Sequence, residues 1–232
     1  MQDLQGFIVV EAALSRQEVT RLNAELDRAA EQSCGGFGAG RPLSEGSPAL
    51  AGDSTRMGLS GMLAWEQPHA EPFRELLCHQ STKPYFEGIL GDGYRLDHGP
   101  LLLAMDQGCE GGVLHHGGAD ITDFSMQYAL KAGRIMTGLT VCEYLPDEGP
   151  GDGGIAVVSG SHKASLPMPR SLSRYMEHTQ AVTEVCSKAG DCVIFTETCS
   201  HGMLPWRAQH QRRALLYKLS PGFQSYGPAA EF

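Results

Sequence analysis

A chain of 232 residues is long enough for one domain with a sizeable core, and its 41% apolar content is ordinary for a water-soluble globular protein. The formal net charge of −9 argues against a general nucleic-acid binder, because phosphate binding wants a basic face. Small-molecule chemistry stays open, since a local cationic pocket can sit in an acidic protein.

The opening Met1-Gln2-Asp3-Leu4 lacks the basic region and long apolar core of a signal peptide, and no run is long and apolar enough to span a membrane. The expected setting is cytoplasmic, with no membrane and no nucleic-acid partner. The seven cysteines contain no C-x-x-C spacing, so they read as reduced thiols. Gly6-Phe7-Ile8-Val9-Val10 reads as a short strand. Ser15-Arg16-Gln17-Glu18 is a capping box, and Val19, Leu22, Leu26 and Ala29 or Ala30 continue it as the apolar stripe of a helix ending near Ser33. Residues 34–62 are rich in Gly, Ser, Pro and Ala. They read as a long loop, either a disordered insertion or a lid for which Phe37, Met57, Leu59, Met62 and Trp65 supply apolar contacts. Pro72 and Pro84 open two short helices.

From Tyr94 the character changes to β-branched and aliphatic segments separated by glycine turns. Strands are expected near 94–105, 112–116, 125–131, 134–145, 154–158, 182–186, 191–196 and 212–219. Asp147-Glu148-Gly149-Pro150-Gly151-Asp152-Gly153-Gly154 is a turn region. Helices followed by many short strands indicate an α+β fold. The expectation is a single domain over 1–232: a double-stranded β-helix (jelly roll) with N-terminal supporting helices.

Two stretches carry candidate chemistry. An apolar, glycine-rich run ends in His115-His116, followed by Gly117-Gly118-Ala119-Asp120. Neutral imidazole is a common metal ligand, and a histidine at a strand end beside flexible glycines is well placed for a metal. Downstream, Thr198-Cys199-Ser200-His201-Gly202 leads into the basic strand beginning Gln211-Arg212-Arg213.

Together with Leu114 to Gly118, Gly151-Asp152-Gly153-Gly154 leading to Ser159-Gly160-Ser161-His162-Lys163, and Phe195-Thr196-Glu197 through His201-Gly202 and Pro205-Trp206 to Arg212, the chain resembles the phytanoyl-CoA dioxygenase family of Fe(II)/2-oxoglutarate oxygenases, in a bacterial and marine microbial branch with a His-Gly-Gly motif. The resemblance covers most of the chain outside 34–62. It implies Fe(II) as cofactor, 2-oxoglutarate as cosubstrate, and O2 and a small-molecule substrate as partners. It implies His201 as the distal metal ligand. Arg212, eleven residues further on, would grip the far carboxylate of 2-oxoglutarate, a role suited to the planar guanidinium fork. Thr140 is a candidate helper to that carboxylate. The upstream ligand is His116 or, in the other register, His115; strand alternation lets only one of them reach the metal. Register favours His116, which directly precedes the glycine pair.

The usual His-x-Asp or His-x-Glu carboxylate is missing, because both registers place glycine two positions on. Asp120 or Asp123 could swing back to the metal, or water or chloride could fill the position, as in the 2-oxoglutarate halogenases. The expected activity is hydroxylation of an aliphatic C–H bond. Halogenation and a non-catalytic small-molecule binder are the alternatives. His162 reads as structural. His98 either lines the site or caps a core hydrogen bond. Glu197 orients a neighbour, Trp206 packs its loop, and His69, His79, His178 and His210 read as solvated.

Overall fold

A short helix α1 (Gln2–Gln5) leads into strand β1 (Phe7–Val10) and then α2 (Arg16–Gln32) in the computed structural model, which describes residues 2–33, 36–116, 130–131, 134–135, 138–145, 147–164 and 167–225. The capping box forms: the Glu18 amide donates to Ser15 Oγ at 3.3 Å and the Ser15 amide donates to Glu18 Oε2 at 2.7 Å. The stripe Leu22, Leu26 and Ala29 is buried. Helices α3 (Glu71–Glu75) and α4 (Lys83–Leu90) each begin around their proline.

The strands that follow α2 are β2 (Gly38–Ala39), β3 (Met57–Ser60), β4 (Arg95–Met105), β5 (Gly112–His115), β6 (Leu130–Lys131), β7 (Arg134–Ile135), β8 (Leu139–Tyr144), β9 (Gly154–Val158), β10 (Val182–Glu184), β11 (Cys192–Thr196), β12 (His201–Leu204) and β13 (Arg212–Ser220). A last helix, α5 (Arg170–Ser173), lies between β9 and β10. Among the described residues the strands form a seven-stranded antiparallel sheet, β1-β11-β8-β13-β4-β3-β2, a four-stranded sheet, β10-β9-β12-β5, and the small pair β6-β7. Much of the expected strand near 125–131 lies outside the described residues.

Two features depart from the sequence reading. Residues 34–62 are not a structureless loop throughout: β2 and β3 extend the large sheet beyond β4, with Met57 opposite Ala104 and Ser60 opposite Leu101. The stretch between them fastens to the edge of the small sheet. Val113 N–H donates to the Leu43 carbonyl at 3.1 Å, and Glu110 accepts from the Leu43 amide at 2.7 Å and from Ser44 Oγ at 2.6 Å. Backbone hydrogen bonds to sheet edges outweigh a glycine-rich composition. The second departure is β12: residues 201–204 were not expected as a strand, and they form the centre of the small sheet.

Side-chain alternation divides the core. On β13, Leu215, Tyr217 and Leu219 face the helices and pack with Leu22, Leu26, Phe73 and Phe86. Ala214 and Leu216 face the other way, against Ile155 and Val157 of the small sheet and Val193 and Phe195 of the large one. Met105 likewise meets Met203 across the gap. The two sheets therefore pack face to face, and the odd and even positions of β13 address two different environments. No helix among the described residues is long and apolar enough to cross a membrane.

Candidate functional site

The two histidine stretches meet because β5 and β12 are neighbours. His115 pairs directly with His201 in the antiparallel register, and the ring centroids lie 4.4 Å apart with planes inclined at 56°. Each ring is held by its own backbone. His115 Nδ1 is 3.1 Å from the Val113 carbonyl, and His201 Nδ1 is 2.7 Å from the Cys199 carbonyl. A carbonyl only accepts, so each Nδ1 carries the proton and each Nε2 keeps its lone pair. Burial and the neighbouring His115 lower the His201 pKa to about 4. His115 remains solvent-accessible, yet the protein packed around it lowers its pKa too, opposed by the Val113 carbonyl and the Glu197 charge. Both rings are thus neutral near pH 7, the form a metal takes.

This arrangement bears on the choice between the adjacent histidines. The sequence register favoured His116; the strand pairing instead sets His115 beside His201, while His116 follows the end of β5. Asp120 and Asp123 lie outside the described residues. Among the described residues no third His, Cys, Asp or Glu joins the pair in a cluster able to hold a metal. The donors present fit the two-imidazole part of an iron site and leave its remaining positions to other groups.

Arg212 stands at the start of β13 on the face that looks between the sheets, in phase with Ala214 and Leu216. Its partner is Glu148: Nε lies 2.7 Å from Oε1, and the two side chains are 2% and 1% exposed. Burial raises the Glu148 pKa to about 7, against the opposing pull of Arg212; Asp152 and Glu184 raise it further. Gly154 makes room for the pair. Its φ is +94°, and a Cβ there would stand 2.8 Å from Glu148 Oε2 and 3.0 Å from Arg212 Nε. Gly154 pairs with Leu204, three residues along β12 from His201, or roughly 10 Å of strand. Arg213 faces the helices, bonded to Asn23 at 3.0 Å and to Asp27 at 2.7 Å, so alternation separates the two arginines as expected.

A second ion pair lies near the histidines. Lys218 Nζ is 3.0 Å from Glu197 Oε1, and both charges act on His115 and His201. The backbone of Thr140 sits between Phe195 and Lys218 in the cross-strand register, and Phe195 stacks against His201 at 4.7 Å. Sequence reasoning missed Glu148 and Lys218. The turn composition around 148 hid a buried carboxylate, whereas the strand period of β13 would have flagged Lys218 as inward-facing.

The other histidines have local partners. His162 is 2% exposed with Nε2 3.1 Å from the Asp3 carbonyl, in keeping with a structural role. His98 is exposed and 2.7 Å from buried Asp97. His69 and His79, expected to be solvated, instead bond Glu25 at 2.8 Å and Glu18 at 2.9 Å, tying the α3 region to α2. His210 reaches the Asp147 carbonyl at 2.8 Å and accepts at its own carbonyl from the fully buried Trp206. His178 is exposed.

Neither a protein-family model nor a curated protein matches the sequence. Solved structures do match in shape. The chain shares its fold with HygX. That protein, from Streptomyces hygroscopicus and solved with nickel and 2-oxoglutarate bound, superposes with a TM-score of 0.76 at 20% identity, over 97% of this chain and 86% of that one. The non-heme alpha ketoglutarate dependent epimerase SnoN from nogalamycin biosynthesis gives 0.67 at 18% identity, over 99% of this chain and 83% of that one. The carbocyclase SnoK from the same biosynthesis gives 0.65 at 20%, over 96% and 85%.

Proposed function

We propose that the protein is a non-haem Fe(II)/2-oxoglutarate-dependent oxygenase on a double-stranded β-helix scaffold, acting on an aliphatic C–H bond of a small molecule, with hydroxylation as the outcome. The observation that carries this reading is the cross-strand pair His115–His201, two neutral imidazoles that each carry the proton on Nδ1 and a lone pair on Nε2. The fold shared with proteins described as binding 2-oxoglutarate or depending on it supports the same reading. So does the resemblance of the motifs to the phytanoyl-CoA dioxygenase family.

In this reading His115 and His201 hold the iron, and Arg212 receives the far carboxylate of 2-oxoglutarate. Held there, iron with 2-oxoglutarate would supply the oxidising chemistry toward O2, the cosubstrate being consumed to succinate and CO2. The chain's own contribution is position, and dryness around Arg212. Two backbone carbonyls fix the imidazole tautomers and aim each ring, while burial keeps both rings neutral. Glu148 fixes the Arg212 guanidinium by its Nε edge. Ala214, Leu216, Val157 and Phe195 line the space between with apolar surface, where a charge-assisted fork is stronger than in water.

The test is anaerobic addition of Fe(II) and then 2-oxoglutarate. A visible metal-to-ligand charge-transfer band should appear, and admission of O2 should convert 2-oxoglutarate to succinate. A folded protein that gives no band at millimolar ligand would overturn the proposal.

A further inference from the structure

Arg56 belongs to the segment whose composition reads as a loop, yet its position in the sheet is defined. Met57 of β3 pairs with Ala104 of β4, which pairs with Arg213 of β13. One residue further along, Arg56 comes level with Met105, which pairs with Arg212. The first row faces the helices, because Met57 and Ala104 pack there and Arg213 bonds Asn23 and Asp27. By alternation the second row, Arg56–Met105–Arg212, faces the space between the sheets, and Met105 indeed packs against Met203 of the small sheet. Two strand spacings separate the Arg56 and Arg212 backbones, roughly 10 Å. The Arg56 carbonyl accepts from the Gly40 amide at 2.8 Å, which continues the β2–β3 ladder and holds the residue in register.

The charges around this row are unbalanced. Arg212 is matched by Glu148, and Lys218 by Glu197. Among the described residues no Asp or Glu pairs with half-buried Arg56. Among the described residues, burial and then Arg41 and, more weakly, Arg212 push its pKa down, with Cys109 opposing. A protein of net charge −9 has carboxylates to spare, so a half-buried, inward-facing arginine with no acidic partner among the described residues marks a place for an anion from outside the chain.

We propose that Arg56 is a carboxylate-binding residue of the intersheet site and receives an acidic group of the substrate, while Arg212 serves the cosubstrate. This rests on the oxygenase reading for the division of labour between the two arginines; the anion site itself stands on the register and the charge census. The substrate class is then a small organic acid or phosphate ester, with the anionic group at the β3 side of the gap and the reacting carbon toward His115. A planar guanidinium there would grip either group through two parallel hydrogen bonds.

The probes are benzoate and phenyl phosphate, with benzamide as the neutral match to benzoate. Each is titrated by calorimetry into protein saturated with Ni(II) and 2-oxoglutarate. At least one anion should bind and benzamide should not. Arg56→Gln should weaken the anion at least about ten-fold while leaving 2-oxoglutarate within about two-fold, and Arg56→Lys should retain part of the anion binding. Melting temperatures show whether each variant is folded. The proposal is overturned if neither acid outbinds benzamide, or if Arg56→Gln binds the acids as the parent does. It is also overturned if Arg56→Gln loses 2-oxoglutarate as severely as Arg212→Gln, since Arg56 would then serve the cosubstrate. If the parent takes up no 2-oxoglutarate, the oxygenase reading fails on its own, and the same titrations on metal-free protein still decide whether Arg56 binds anions.

Discussion

Glu148 and Arg212 face each other at 2.7 Å with almost no solvent contact, one from a glycine-rich turn and the other from the first position of β13. The pair places a carboxylate beside the guanidinium proposed to receive the cosubstrate's carboxylate. Two carboxylates on one buried arginine leave a net negative charge unless one is protonated, and Glu148 is the group already close to that state, with a pKa raised by burial to about 7.

Glu148 should therefore shape the pH dependence of stability. Its folded-state pKa lies above the ordinary carboxylate value of 4.5, so the folded protein holds this proton more tightly than the unfolded chain. The resulting stabilisation is complete below about pH 4.5 and is lost as the pH rises through about 7. In Glu148→Gln the side chain is permanently neutral, so its Tm relative to the parent should improve steadily between pH 5 and pH 7.5. Glu148→Ala removes the partner without replacing its bulk and should cost ~3–5 kcal/mol, on the order of 10 °C in Tm. A flat Tm difference between Glu148→Gln and the parent across this range would contradict the assignment.

Arg212 should dominate 2-oxoglutarate affinity. Loss of a buried charge-assisted fork costs ~2–5 kcal/mol, so Arg212→Gln should weaken 2-oxoglutarate by tens- to thousands-fold. Arg212→Lys should recover part of that loss. Arg213→Gln should leave affinity unchanged and reduce stability, because Arg213 spans to Asn23 and Asp27 of α2. Calorimetry with Ni(II) in place of iron separates the two effects, and a 2-oxoglutarate defect confined to Arg213→Gln would reverse the facing of β13.

Replacement of single histidines checks the metal pair. His115→Ala and His201→Ala should each lose more Fe(II) affinity than the 10–100-fold typical of residues that only support a ligand. His116→Ala should fall below that loss, since the β5–β12 register sets His115 opposite His201. Equal losses at 115 and 116 would show that strand alternation does not select one of them.

What could be read from the sequence was local. Ser15, Glu18 and the Leu22–Leu26 stripe interact within a few residues of one another, so α2 was legible with its cap. His201 and Arg212 were legible as candidates because their spacing is carried by one stretch of chain. The pairing of His115 with His201 was not, because it depends on how β5 registers against β12, more than eighty residues later in the chain. Glu148 was hidden for a related reason: its partner Arg212 arrives from a distant strand, and the turn composition around it says only that the chain bends. Arg56 was hidden by composition, since β3 gains its stability from pairing with β4 rather than from its own sequence Met57-Gly58-Leu59-Ser60.

With His115 as the upstream ligand, the position that carries the carboxylate in a His-x-Asp motif is Gly117, which has no side chain to offer. Among the described residues no acid completes the cluster, and Glu197 is engaged with Lys218 at 3.0 Å. Iron held by two neutral imidazoles is one negative charge short of the usual set, so an anion such as chloride, or a water that readily deprotonates, should take the open position. Asp120→Ala should then keep its iron affinity within about ten-fold of the parent, less than the loss of a true ligand. Chloride or bromide should shift the charge-transfer band of the Fe(II)/2-oxoglutarate complex. Gly117→Asp should abolish that halide response by restoring a carboxylate. A halide response that ends in halogenated product would favour the halogenase reading over hydroxylation. If Asp120→Ala instead loses iron and halide leaves the band unmoved, Asp120 is the displaced third ligand and the halogenase reading falls.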